Sequence, residues 1–158
     1  MQLSADPVGI QETALHDLVV TAARTAHTTH WRKSGDESTG DKLAKLITDT
    51  WQRELTKSGD GRFAIEYQVA DHLRERIDVV DLIAGTAYEM KVSPNNVHME
   101  FYRDIFKVIL ARDNRLATLR RFVFLTPTAG AAKLNRGMGK AVTKDASRLG
   151  LSIEVVAL

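Results

Sequence analysis

The chain of 158 residues contains no cysteine, which excludes disulfides and every metal site built on thiolates. No apolar run reaches membrane-spanning length, and the N-terminus lacks the basic stretch and apolar run of a signal peptide. The net charge is only +2, which permits a nucleic-acid partner without requiring one. We therefore expect a cytoplasmic protein that does not bind membranes, long enough to build the core of one ordinary domain.

What the sequence does contain is a regular succession of helix-like and strand-like segments. Apolar residues at helical spacing predict helices at 10–27, 41–57, 97–112 and 129–149, with a loop at 28–40. Alternating or continuously apolar segments predict strands at 63–69, 76–83, 86–92, 122–126 and 151–157. The first three strands suit an antiparallel meander, and helical crossovers place the later strands in parallel. The predicted fold class is α/β, a mixed sheet flanked by helices on both faces.

The residues with the clearest chemistry lie in two neighbouring strands, R-I-D-V-V-D (76–81) and A-Y-E-M-K-V (87–92). Glu89 and Lys91 are two residues apart, so they project from the same face of a strand. A hairpin turning near Ala84 and Gly85 brings Asp78 alongside them. Two carboxylates and an ammonium at one place suit a divalent metal beside a phosphate group. The ordinary alternative is a cross-strand salt bridge on a solvated face.

This order of elements, with Asp78 on the second core strand and Glu89-x-Lys91 on the third, resembles the PD-(D/E)xK nuclease superfamily. The resemblance covers about residues 41–126, the core of a single domain predicted for 1–158, with about 10–40 as an N-terminal helical extension. It implies a restriction-endonuclease-like fold and an endonuclease that cleaves DNA with Mg²⁺ or Mn²⁺. Ile77 stands where the superfamily pattern has proline.

The resemblance implies a role for each residue of the motif. Asp78 and Glu89 ligate the divalent metal, and the backbone carbonyl of Met90 is a further ligand. Lys91 positions or activates the attacking water. Carboxylate oxygens suit Mg²⁺ and Mn²⁺, which keep several waters and share phosphate oxygens.

Two helices supply further candidates. The superfamily often adds a metal-binding carboxylate from the first core helix, for which Glu54 is the best match and Asp49 and Glu66 compete. On the helix after the third strand, Arg103 and Lys107 are four residues apart and share a face. The resemblance implies that they contact phosphate, and the alternative is a solvated helix face with internal ion pairs.

The segment K-L-N-R-G-M-G-K at 133–140 superficially resembles a phosphate-binding loop. It lacks the Gly-x4-Gly-Lys-Ser/Thr spacing of such loops and falls within a helical pattern. We therefore do not interpret it as a phosphate-binding loop of this type.

Two alternatives to a DNA endonuclease stay open. The first is a nucleic-acid-binding or assembly module with an idle nuclease site. The second is a nuclease that acts on RNA or on a repair intermediate. We expect no separate recognition domain, so specificity has to come from loops, the N-terminal helix, a homodimer partner or another protein.

Overall fold

The structure, a computed structural model, describes residues 7–34 and 40–158. The helices are α1 (Pro7–Ser34), α2 (Asp41–Thr56), α3 (Val97–Asn114), α4 (Thr128–Leu134) and α5 (Gly137–Asp145), followed by a short 3-10 helix at Ala146–Leu149. The strands are β1 (Phe63–Gln68), β2 (Arg76–Asp81), β3 (Thr86–Met90), β4 (Arg121–Thr126) and β5 (Ser152–Ala157). Each predicted strand is present, with ends shifted by at most two residues.

The strands form one mixed sheet in the order β1-β2-β3-β4-β5. β1, β2 and β3 are an antiparallel meander, whereas β3–β4 and β4–β5 pair in parallel. The parallel pairs follow from the helical crossovers, which return the chain to the same end of the sheet. The predicted strand directions are therefore confirmed.

Helices cover both faces of the sheet and create two buried cores. On one face, α3 and α4 pack against strand residues that include Ala87, Phe122 and Phe124. On the other face, α1 and α2 pack against Tyr88, Val123 and their neighbours. Alternating residues of β3 and β4 thus face opposite cores, as strand geometry requires. The predicted α/β architecture, with helices on both faces, is confirmed.

The turn between β2 and β3 depends on glycine. Gly85 has a φ of +63°, and a Cβ at this position would lie 2.1 Å from the carbonyl oxygen of Thr118. Its own carbonyl accepts hydrogen bonds from the amides of Arg120 and Arg121. Only glycine combines this backbone conformation with such a close approach. The turn therefore fixes how β2 meets β3.

Two predicted segments differ most from the structure. The predicted loop at 28–40 begins too early, because α1 continues to Ser34, and residues 35–39 lie outside the described residues. The predicted helix at 129–149 is broken into α4, α5 and the 3-10 helix. Gly137 has a φ of +56°, and a Cβ on Gly139 would lie 2.4 Å from the Leu134 carbonyl oxygen. The two glycines let α5 start in a new direction against the end of α4.

Among the helices in 7–34 and 40–158, none has the length and apolar character needed to cross a membrane.

Candidate metal and phosphate site

The structure brings Asp78 and Glu89 together, as the hairpin prediction requires. Asp78 on β2 accepts a 2.9 Å hydrogen bond at Oδ2 from the Met90 amide on β3. Side-chain alternation slips at this point, because Ile77 packs in the α3-side core whereas Val79 packs in the opposite core. In a regular strand these two residues would share a face. The slip explains how the Asp78 carboxyl group turns towards Glu89.

A lysine that the motif does not contain completes this cluster. Lys107 on α3 is buried, and its ammonium forms an ion pair with Glu89. The same nitrogen lies 2.9 Å from Oδ1 of Asp104 and donates a 2.8 Å hydrogen bond to the Arg76 carbonyl oxygen. Of these three oxygen neighbours, the Arg76 carbonyl accepts a well-formed hydrogen bond, whereas the two carboxylates are held by ion pairing. One cation therefore serves two buried carboxylates.

Burial makes the charge on these carboxylates costly. It raises the pKa of Asp78 to about 6, although the Met90 amide, Lys107 and a hydrogen bond with Glu89 act in the opposite direction. Burial raises the pKa of Glu89 well above its usual value, and the charges of Asp78 and Asp104 add to the effect. The pKa of Asp104 is also raised by burial. Burial lowers the pKa of Lys107, but Glu89 and Asp104 more than reverse this effect and raise it. The cluster contains three buried carboxyl groups and one ammonium, so it favours the binding of a proton or of another cation.

The first core helix reaches the cluster through Gln52. This buried side chain donates 2.9 Å hydrogen bonds from Nε2 to the Asp78 carbonyl oxygen and to Oε1 of Glu66. Glu66 lies opposite Asp78 in β1, between the pairs Ile65–Val79 and Tyr67–Ile77, and has a φ of +48°. A positive φ is uncommon for glutamate and marks a local distortion. Gln52 therefore ties the distorted parts of β1 and β2 together.

Lys91 follows β3 and faces the same side of the sheet as Glu89. Met90 and Val92 both pack in the opposite core, so alternation turns Lys91 towards the α3 side. Its amide donates to the Leu125 carbonyl oxygen at 2.8 Å, which extends the parallel ladder beyond the strand end. In the described part of the chain, no hydrogen bond or ion pair engages its half-buried side chain. The ammonium of Lys91 is therefore available to a ligand.

The structure does not bring Glu54 or Asp49 to the cluster. Glu54 is exposed, forms an ion pair with Lys57 and lines a groove between α1 and α2. Asp49 pairs with Lys45 at 3.0 Å on the surface of α2. The residue of α2 that does reach Asp78 is an amide, not a carboxylate.

A cleft of about 430 Å³ opens above Lys107. Its lining includes three arginines, Arg74, Arg76 and Arg103, together with Glu66 and Glu75. Arg103 is exposed on the rim and contacts Glu100 at 2.5 Å and Asp104 at 3.7 Å. Lys107 lies at the floor, so it shares the cleft with Arg103 but not its exposure to solvent. The lining offers several cations to a phosphate group.

The donor set fits a small divalent cation with only two protein carboxylates. Within the described residues, no group of three or more histidine, aspartate or glutamate side chains is arranged to hold a metal ion. Oε1 of Glu89 and Oδ1 of Asp104 are buried beside the Lys107 ammonium but accept no well-formed hydrogen bond, so their hydrogen-bonding capacity is not filled. Mg²⁺ characteristically takes one or two carboxylates and keeps its waters. Asp78 and Glu89 match that requirement.

No protein-family model matches the chain, and searches of curated proteins and of solved structures find no similar protein. What the chain does therefore has to be inferred from its own residues.

Sequence patterns alone missed Gln52, Asp104 and the pairing of Lys107 with Glu89. One signal was present: at 100° per residue, Asp104 lies between Lys107 and Val108 around α3, within the apolar side of the helix. A carboxylate placed there has to be buried and needs a partner. The partner three residues on is Lys107.

Proposed function

We propose that the chain is a Mg²⁺-dependent endonuclease of the PD-(D/E)xK type that hydrolyses DNA. The observation that carries the proposal is the contact of Asp78 with Glu89 in a pocket that raises the pKa of both carboxyl groups. The resemblance of the Asp…Glu-x-Lys pattern and of the element order supports it independently. Mg²⁺ or Mn²⁺ is the proposed cofactor.

Each residue has a separate role in this proposal. Asp78 and Glu89 hold the ion, with the Met90 carbonyl as a further ligand. When bound, the ion supplies positive charge to the phosphate and lowers the pKa of a bound water. Lys91 places an unpaired ammonium beside the water and the phosphate. Arg103, with Arg74 and Arg76 in the same cleft, binds neighbouring phosphates of the strand.

Lys107 has a different task from the phosphate contact expected of it. It neutralises part of the charge of Glu89 and Asp104 while no metal is bound. Without it, buried carboxylates would face each other with no compensating cation. This arrangement keeps Glu89 in position for the ion.

The Lys107–Glu89 pair also favours a second candidate function, a nucleic-acid-binding or assembly module with an idle site. In that case the ion pair is the permanent state of Glu89, and the cluster serves stability only. The two candidates differ in whether a metal ion adds to the cluster.

The deciding experiment measures cleavage of plasmid, single-stranded DNA and RNA with Mg²⁺ and Mn²⁺, and Mn²⁺ binding by calorimetry. Asp78→Asn and Glu89→Gln should lose both binding and cleavage, whereas Lys91→Ala should bind Mn²⁺ and lose cleavage by about 100-fold or more. Glu54→Gln and Lys42→Ala, which change exposed residues of α2, are the matched controls and should behave as wild type.

The outcomes separate the alternatives. Cleavage of RNA but not DNA would identify RNA as the substrate and leave the assignment of the site unchanged. Wild-type turnover in Lys91→Ala removes that residue from the mechanism. No cleavage and no Mn²⁺ binding by the wild-type chain favours the idle module.

A further inference from the structure

The positive charge of the chain is concentrated in one segment outside the candidate site. Residues 133–148 contain five basic residues and one acidic residue, a net charge of +4. The rest of the chain has 17 basic and 19 acidic residues, a net charge of −2. A weak overall charge therefore hides a strongly basic segment of the kind that attracts polyanions.

Four of these cations recur every four residues: Arg136, Lys140, Lys144 and Arg148. Lys140 and Lys144 lie on one face of α5, Arg136 directly precedes the helix, and Arg148 lies in the 3-10 helix after it. Residues four apart lie on the same side of a helix, about 6 Å apart along its axis. We call these four residues the basic row.

The basic row is solvent-exposed and has no carboxylate partners. All four side chains are exposed, and none makes an ion pair within the described residues. Other surface cations are paired, as Arg115 is with Asp71 at 2.6 Å. An unpaired row of like charges is unfavourable in the free protein and becomes favourable when an anionic ligand covers it.

The fold connects this segment to the candidate site. Leu134, Val142 and Ala146 pack into the same core as α3, so α4 and α5 lie on the face of the sheet that carries Glu89. Lys133 Nζ donates to the Pro94 carbonyl oxygen at 3.4 Å, in the loop that leads on from Lys91. The segment that carries the basic row thus begins beside the loop that leaves the site.

We propose that the basic row binds the phosphodiester backbone of a DNA duplex that enters the candidate site. The inference rests on the proposed function for the identity of the ligand, but not for the binding itself. A membrane surface fits less well, because α5 has no free apolar face. Its Val142 packs into the core, and Met138 is its one large exposed apolar residue.

The test compares Lys140→Gln/Lys144→Gln with Lys42→Gln/Arg53→Gln, a pair of exposed cations on α2 that loses the same charge. All proteins also carry Glu89→Gln, so that the duplex is not cut. The measurement is anisotropy of a fluorescent DNA duplex against salt concentration. Each lost phosphate contact removes about 0.9 from the slope of log affinity against log salt.

We expect the magnitude of this slope to be smaller by about 1.8 in the Lys140/Lys144 variant than in the parent. Raising the salt from about 50 to 200 mM should then weaken DNA binding by the variant about tenfold less than binding by the parent. Lys140→Arg/Lys144→Arg should restore the slope, which excludes misfolding as the cause. Equal slopes in the Lys140/Lys144 and Lys42/Arg53 variants would overturn the proposal that the basic row binds DNA.

Binding and cleavage can fail separately. If the wild-type chain cuts no nucleic acid but the Lys140/Lys144 variant still has the smaller salt dependence, DNA binding by the basic row is supported and the nuclease proposal is overturned. If the wild-type chain cuts DNA and the slopes of the two variants are equal, the nuclease proposal is supported and the role of the basic row is overturned. Loss of binding to anionic phospholipid vesicles, with an unchanged DNA slope, would assign the row to a membrane surface and overturn the inference.

Discussion

The ammonium of Lys107 and the carboxylate of Glu89 form a buried ion pair between α3 and β3, and the same ammonium lies 2.9 Å from Asp104. Lys107→Met keeps the packing of the side-chain stem but leaves two buried carboxylates without their cation. We expect the free energy of unfolding to fall by about 3–5 kcal/mol, as when one partner of a buried pair is removed. Urea denaturation at neutral pH measures the change.

Arg103→Met is the matched control for this prediction. Arg103 is four residues away on the same helix but is exposed, and its ion pair with Glu100 lies at the surface. Its loss should change stability by about 0.5 kcal/mol or less. Similar losses for the two variants would mean that Lys107 is not coupled to Glu89.

Asp78 makes the stability of the metal-free protein dependent on pH. Its pKa of about 6 in the folded state exceeds its usual value of 3.8, so the folded state binds the proton more tightly. The resulting stability is fully present below about pH 4 and is lost as the pH rises through about 6. We therefore expect Asp78→Asn to be more stable than wild type at about pH 7 and to show a smaller decline with pH.

Thermal or urea unfolding across this pH range provides the measurement. Asp17→Asn, a change at an exposed position of α1, is the control and should follow the wild-type curve. Saturating Mn²⁺ should stabilise the wild type but not Asp78→Asn, since an ion held by Asp78 binds the folded state. A wild-type curve that rises between about pH 4 and 7, in parallel with that of Asp78→Asn, contradicts the burial of this carboxyl group.

Gln52 holds the Asp78 carbonyl oxygen and Glu66 at 2.9 Å each. Gln52→Leu has a similar volume but no donor, so the Asp78 carbonyl loses its partner. The expected cost is about 1–3 kcal/mol of unfolding free energy, with weaker Mn²⁺ binding because the strand next to the cluster is no longer fixed. Arg53→Leu, at the neighbouring exposed position, is the control. Unchanged stability and Mn²⁺ affinity in Gln52→Leu would remove it from the support of the site.

Gly85 and Gly59 allow backbone strain to be separated from a steric clash. Both have positive φ, +63° and +65°, but a Cβ would meet the Thr118 carbonyl at 2.1 Å on Gly85 and nothing within 4 Å on Gly59. Gly59→Ala should therefore cost about 1–2 kcal/mol from the left-handed conformation alone. Gly85→Ala should cost at least about 2 kcal/mol more, because the segment before β4 that contains Thr118 has to move away from the β2–β3 turn. Equal losses of unfolding free energy in urea denaturation would show that the backbone around the turn relaxes the clash with Thr118 without destabilising the protein.

The strands and their directions could be predicted because they depend on local patterns. Alternation in Phe63–Gln68 and the turn at Gly85 are visible in the sequence itself, and the hairpin places Asp78 beside Glu89. Lys107 could not be assigned in this way. Its contact with Glu89 joins residues that are 18 positions apart, and a helical face shared with Arg103 does not reveal which residue turns inward.

The break between α4 and α5 depends on backbone conformation, which the apolar pattern does not report. Apolar residues continue at helical spacing through 129–149, and isolated glycines are tolerated within a helix. The positive φ of Gly137 and the close approach of Gly139 to the Leu134 carbonyl belong to the turn between the two helices. Hydrophobic periodicity does not distinguish such glycines from those tolerated inside a continuous helix.

The distorted backbone at Glu66 has a further consequence for the edge of the sheet. Among residues 7–34 and 40–158, the only strand that pairs with β1 is β2, so the other side of β1 is an edge of the sheet. The positive φ of Glu66 divides this edge into Phe63–Ile65 and Tyr67–Gln68. Neither piece offers the long, straight row of groups on which a strand from another molecule could assemble. We therefore expect the irregularity beside Asp78 also to oppose the growth of the sheet into aggregates.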